Sequence, residues 1–183
     1  MPLTTIPLPY GVRDIKVTPY TTDAATTLGT GVDLPYGRTL SFSEAEDFEE
    51  LRGDDKVITT RGRGASVEWE LESGGISYEA VKVMYGGTIT ESGVTPNQIK
   101  RFRKKDVDTR PFFQVEGQAI SDSGGDVHVV LHRCRSTGEF EGELADGQFW
   151  LTSASGVALP SLVVANVGTI YDFIQNETAT AIV

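Results

Sequence analysis

A mainly β fold, an antiparallel β-sandwich or barrel with one short flanking helix and a long acidic loop, is predicted by three observations. Short segments alternate apolar and polar residues with period two, Gly and Asp clusters punctuate them, and a single stretch carries helix start and stop signals. With 183 residues the chain is expected to form one domain, 1–183, long enough to bury a real core. Sixteen Lys and Arg against 26 Asp and Glu give a formal charge of −10. That balance argues against a protein whose main task is gripping phosphates.

Taken in chain order, "RTLSFS" places Leu40 and Phe42 on one side of a strand. The next stretch, "EAEDFEELRGDD", breaks the alternation. Around Phe48 and Leu51 it sets Glu44, Glu46, Asp47, Glu49, Glu50, Asp54 and Asp55 against Arg52 alone, and is read as a solvated or interaction loop over 44–55. In "SVEWELES" the carboxylates Glu68, Glu70 and Glu72 alternate with Val67, Trp69 and Leu71, so a strand here carries an acidic stripe on one face and an apolar row on the other. "GGISYEAVKVMYGG" predicts a helix over about 77–85. Ser77 is its N-cap, Glu79 lies in the first turn, Ile76 and Val81 occupy the staple positions, and Gly86 and Gly87 stop it. Ala80, Val81, Met84 and Tyr85 share a face suited to lying on the flank of a sheet.

"KRFRKKDVDTR" holds Lys100, Arg101, Arg103, Lys104, Lys105 and Arg110 against Asp106 and Asp108, a basic complement to the acidic loop. Phe102 between two arginines is the interleaving seen where nucleic acid is gripped, yet in so acidic a chain a solvated or partner-facing segment is the reading adopted. "SDSGGD" and "LADGQ" are turn chemistries, the first closing a hairpin. "DVHVVLHRC" is β-branched, and "GQFWLTSAS" carries Phe149 and Leu151 in phase. In "GEFEGEL", Glu139, Glu141 and Glu143 repeat the acidic stripe opposite Phe140 and Leu144. Like charges in such rows repel and should face a wide aqueous space, although the wet side of a sandwich explains either row alone.

Catalytic chemistry finds little support. His128 and His132 point the same way on a regular strand but stand about 13 Å apart, too far to share a metal, while His132 and Cys134, about 7 Å apart on that face, make no closed site. The G-x-S-x-G, Walker A, H-E-x-x-H and G-x-G-x-x-G patterns are missing. Acid pairs are too common in an acidic chain to mark a glycosidase, "SDSGGD" lacks the ligand spacing of a calcium loop, and "RGD" at 52–54 is frequent by chance. No catalytic residue, metal or cofactor is expected. Cys134 is the sole cysteine, "MPLTTIPLPYG" has no charged and apolar leader regions, and "VALPSLVVANVG" is too short and broken to span a bilayer. A protein made in a reducing cytoplasm, without a membrane anchor, is expected.

"LPYGVRDIKVTPY" (8–20), "VDLPYGRTLSFSEAEDFEELRGDD" (32–55), "GGISYEAVKVMYGG" (74–87), "RPFFQVEGQAISDSGGD" (110–126) and "GELADGQFWLTSASGVALPS" (142–161) together resemble the major tail tube proteins of long-tailed, non-contractile bacteriophages, those of actinobacterial hosts above all. The likeness spans nearly the whole chain. It implies a β-sandwich with a flanking helix and a long loop, six copies closing into a ring, and rings stacking head to tail into a tube that conducts double-stranded DNA at ejection. Hairpins from all subunits would join in one inner barrel. The partners implied are other copies of the chain, with segments 1–20 and 170–183 meeting neighbours, and tape measure, tail terminator and tail-tip proteins; the location implied is the virion tail, after assembly in the host cytoplasm.

A duplex roughly 20 Å across cannot enter a barrel of about eight strands, which its own side chains fill. Six subunits giving about four strands each, at roughly 4.8 Å spacing and 45° tilt, would make a circumference near 160 Å and an opening of about 40 Å. The resemblance suggests a use for the Glu rows 68/70/72 and 139/141/143: lining the lumen, where carboxylates repel phosphates, whereas bases would trap DNA through counterion release. It also suggests that loop 44–55 stacks on segment 100–110 of a neighbour, a heterologous contact that propagates. Two alternatives stay open: a soluble β-sandwich module binding carbohydrate or another ligand through an exposed aromatic platform, and the tube protein of a contractile injection machine.

Overall fold

The computed structural model describes residues 5–182 apart from Asp23 and Pro35, with Arg63 described in its backbone alone. The chain is mainly β and antiparallel. Its strands are β1 (Pro9–Pro19), β2 (Val32–Asp33), β3 (Gly37–Gly53), β4 (Lys56–Gly74), β5 (Thr88–Ser92), β6 (Ile99–Arg103), β7 (Phe113–Ser121), β8 (Asp126–Ser136), β9 (Leu151–Ala158) and β10 (Tyr171–Asn176), with helix α1 (Tyr78–Tyr85) between β4 and β5. One sheet runs β2-β1-β7-β8-β9-β4-β3, β10 pairs with β8 off that path, and β5 and β6 form a separate hairpin.

The sheet folds on itself at β8. Residues 126–131 of this strand pair with β10, and residues 134–136 pair with β9. Between them, Leu131 opposes Val115 and Cys134 opposes Phe113, so β8 carries one extra residue, and Arg133 takes a φ of 40°. This bulge bends the strand and lets β9, β4 and β3 turn back over β1 and β7. Where the layers meet, side chains are replaced by glycines: a Cβ on Gly37 would lie 2.9 Å from Ile15 Cδ1, and one on Gly117 would collide with Leu40.

Ile15, Val17, Phe113, Val115, Leu131 and Cys134 pack with Val67, Trp69, Leu71, Ala154 and Ala158 in one core. Each large side chain buried there is worth roughly 1.5–3 kcal/mol relative to exposure. Trp69 packs edge-on against Phe113 with ring centroids 5.6 Å apart. The helix closes one flank as its sequence predicts. Ser77 Oγ accepts from the Ala80 N–H at 3.3 Å, Gly86 stops the helix at a φ of 74°, and Ala80, Val81, Val83, Met84 and Tyr85 are buried. Lys104 Nζ donates to the Tyr85 carbonyl at 2.5 Å, satisfying the helix end from a distant segment. The hairpin at "SDSGGD" joins β7 to β8 as expected.

Four expectations need correction. The acidic stretch 44–55 is no loop: its first ten residues belong to β3, which pairs with β4 along their length. Residues 139–144 form no strand. In β9 the buried positions are Thr152, Ala154, Gly156 and Ala158, so Leu151 sits on the outward phase and Phe149, outside the strand, is 94% exposed. The bulge at Arg133 also separates His132 from Cys134. Cys134 enters the core, where burial pushes its thiol pKa up, while His132 contacts Gln114 and Asp172 on the opposite face.

Candidate functional surface: an acidic face and a bare arm

The alternation at 66–73 is realised in β4. Val67, Trp69 and Leu71 are buried, Glu68 and Glu70 are exposed, and Glu72 is half-buried beside Arg38 at 3.5 Å. Register fixes what flanks the stripe. On β3, Thr39, Ser41 and Ser43 stand opposite Glu72, Glu70 and Glu68; on β9, Ser153, Ser155 and Val157 stand opposite the same three. The outward face of β3-β4-β9 is thus a carboxylate row between two rows that are mostly hydroxyl.

The second Glu row reaches this face by another route. Arg110 donates to the carbonyls of Ser136 (3.0 Å) and Gly138 (2.6 Å), and Phe140 packs against Tyr85 with centroids 4.9 Å apart. With Phe140 held against Tyr85, Glu139 and Glu141 border a depression of about 280 Å³ shared with Glu70, Ser153 and Ser155. Glu143 lies further along, beside Gln148, Phe149 and Trp150. A larger depression, about 440 Å³, runs past Glu68 and Glu70 to Thr137 and Ser155. The two rows therefore share one surface although only one of them is a strand. Sequence reasoning missed the hydroxyl rows; their signal was the polar half of the alternations in "RTLSFS" and "LTSAS".

Beyond the sandwich, β3 and β4 continue as a two-stranded arm. Asp54 and Asp55 make its two-residue turn with φ of 50° and 58°, the twist that suits a tight hairpin. From Ala45 to that turn the arm extends about 30 Å at the usual strand rise, and no residue from 41 to 62 is buried. Phe48, Leu51, Val57 and Ile58 stay exposed. Its charges are partly matched within the chain: Glu49 stands opposite Arg61 in register, Arg52 holds Glu50 at 2.7 Å, and Glu44 accepts from Tyr171 Oη at 2.9 Å. Glu46, Asp54 and Asp55 are exposed along its edge and tip.

The basic residues divide. Lys100 pairs with Glu79 and Glu91, Lys104 caps the helix, and Arg110 lies 5.2 Å above the Tyr85 ring while holding the 137–138 segment. Arg101, Arg103 and Lys105 are exposed, and their side chains make no bond among the described residues. Within 100–110, these three are the bases open to a partner.

Trp69 is core, and Trp150 is half-buried. The exposed Phe42 and Phe173 cluster with the half-buried Tyr171, with centroids 5.4 to 6.4 Å apart and planes inclined by 37° to 66°. Among the described residues no group of three His, Cys, Asp or Glu could hold a metal ion. His128 and His132 are instead bound by neighbouring acids and amides. Among the described residues no helix is long and apolar enough to cross a membrane. No protein-family model matches the chain, and no curated protein matches it in sequence.

Proposed function

We propose that this chain is the structural subunit of a bacteriophage tail tube, six copies closing into a ring and rings stacking head to tail into a conduit for double-stranded DNA. One observation carries the reading: an arm of about 30 Å that buries nothing in its own chain extends directly from the strands that bear the acidic, hydroxyl-flanked face. A two-stranded ribbon is marginal in water by itself, so the arm is a part built to be covered by neighbours.

In this reading the β3-β4-β9 face lines the lumen. Three strands from each of six copies, at roughly 4.8 Å spacing and 45° tilt, give a circumference of about 120 Å and a backbone diameter near 40 Å. Side chains reduce that to about 30 Å, still wider than a duplex of roughly 20 Å. The Glu rows then repel phosphates while the hydroxyls keep the wall wetted, so DNA passes without adsorbing. The arm, through Phe48, Leu51, Glu49 and Glu50, meets Arg101, Arg103 and Lys105 of the next ring. An exposed ion pair is worth under about 1 kcal/mol, so the apolar residues supply most of that contact. The chain acts without catalysis or cofactor. Its further partners are tape measure, terminator and tip proteins, and its place is the virion.

Negative-stain electron microscopy of the purified protein, with its mass measured across concentration, tests this. Rings or tubes with an open centre wider than 20 Å are expected, and Glu49→Lys with Glu50→Lys should block tube growth while leaving the monomer folded. A tube carrying both Glu rows on its outer wall, or tube growth unchanged in the double variant, overturns the reading.

A further inference from the structure

The face of β1, β7, β8 and β10 turned away from the core is polar, and the C-terminal residues 177–182 cross it as an irregular strap. Three strands hook the strap. On β8, the Asp126 carboxylate accepts from the Thr180 N–H at 2.9 Å; on β7, Gln118 Nε2 donates to the Thr180 carbonyl at 2.9 Å; on β1, Lys16 Nζ donates to the Ile182 carbonyl at 2.9 Å. The Ile182 side chain is buried.

His128 lies beneath the strap, 5% exposed, with three acceptors around its ring. Glu116 Oε1 is 3.0 Å from Nδ1, and Nε2 is 3.1 Å from Asp126 Oδ2 and 3.0 Å from the Thr180 carbonyl. A neutral imidazole has a single N–H, so it serves one edge and turns a lone pair toward an acceptor at the other; imidazolium donates at both. The ring is too buried for water to make up the difference.

We propose that residues 177–182 are a proton-controlled latch, held closed by His128 in its two-donor form and released when that ring loses its proton. Facing the ring are Glu116 and Gln118 from β7, Asp126 from β8, Ile174 from β10 and the strap itself. On β1, Asp14 stands opposite Gln118, and Lys16 opposite Glu116 is committed to Ile182 and to Asp33 at 3.4 Å. Burial alone would lower the pKa of His128, but Asp126 and Glu116 outweigh it and raise the value above the ordinary 6.5. A raised folded pKa means that the latch is fully stabilised below the ordinary histidine range and weakens as pH rises through the raised value. The latch belongs to the single chain, whatever that chain assembles into.

Amide hydrogen exchange at Thr180 in the full chain, expressed as protection factors between pH 5.5 and 9, tests this beside an NMR titration of both histidines. Protection at Thr180 should fall about tenfold per pH unit above the midpoint of His128 and then level off, while amides of β4 keep theirs. His128→Gln should flatten the profile. Constant protection through the His128 titration overturns the latch, as does a fall that follows the His132 midpoint or persists unchanged in the variant. If His128→Gln fails to fold, coincidence or mismatch of the two midpoints in the native chain decides.

Discussion

Asp126→Asn should make the protein less stable at neutral pH and less sensitive to acid. Asp126 is fully buried at the start of β8. Burial pushes its pKa up, but hydrogen bonds from Gln118, the Thr180 N–H, Asn176 and His128 outweigh that and lower it from 3.8 to about 2. A depression of roughly two units corresponds to about 2–3 kcal/mol of stability at neutral pH. Because the folded pKa lies below the unfolded one, that contribution is complete above about pH 5 and is lost as pH falls through 4 toward 2. Asparagine keeps one carbonyl acceptor but carries no charge and aims an amide at groups that already donate. Urea unfolding of both proteins from pH 7 to pH 2 measures the effect. The wild type should be more stable by about 2–3 kcal/mol at pH 7, with the gap closing as the pH approaches 2. A gap that stays constant across pH, or none at pH 7, refutes the argument that a charge-specific hydrogen-bond set holds this corner.

Three further outcomes are expected. Gly156→Ala should lower stability by about 1–3 kcal/mol or more in urea unfolding, because a Cβ there would collide with the Arg135 carbonyl and lie 2.9 Å from Ser136 Cα, where β8 and β9 meet. Phe140→Ala should cost about 1–2 kcal/mol and speed amide exchange across 137–150, since the ring contact with Tyr85 helps to hold Glu139 and Glu141 against the β4 stripe; unchanged exchange there would mean that Arg110 holds the segment alone. Asp55→Gly should stabilise the arm by about 0.5–1 kcal/mol, because Asp55 sits at a φ of 58° that glycine adopts freely. Slower exchange across β3 and β4 beyond residue 45 would register it.

What the sequence determined by itself was local. Val67, Trp69 and Leu71 alternate with three glutamates, so the core side and wet side of β4 follow from the pleat alone, whichever strands lie beside it. Helix 78–85 was equally legible, because its N-cap, first-turn acid and glycine stop all act within one or two turns. Stretch 44–55 was unreadable as strand for a physical reason: neither face of the arm is buried in its own chain, so no apolar period marks it. The opposite error arose at 139–144, where a clean period of two exists but Arg110 and Tyr85, far off in sequence, pull the chain out of any sheet.

Tertiary structure alone decided the rest. The single extra residue at Arg133 sends Cys134 into the core and His132 to the opposite face, since a shift of one position reverses every side chain beyond it. The fold likewise brings Thr180 to Asp126 and His128, groups separated by more than 50 positions. No local pattern encodes such a meeting, because it depends on which strand becomes whose neighbour, and that is settled by the free energy of the whole core.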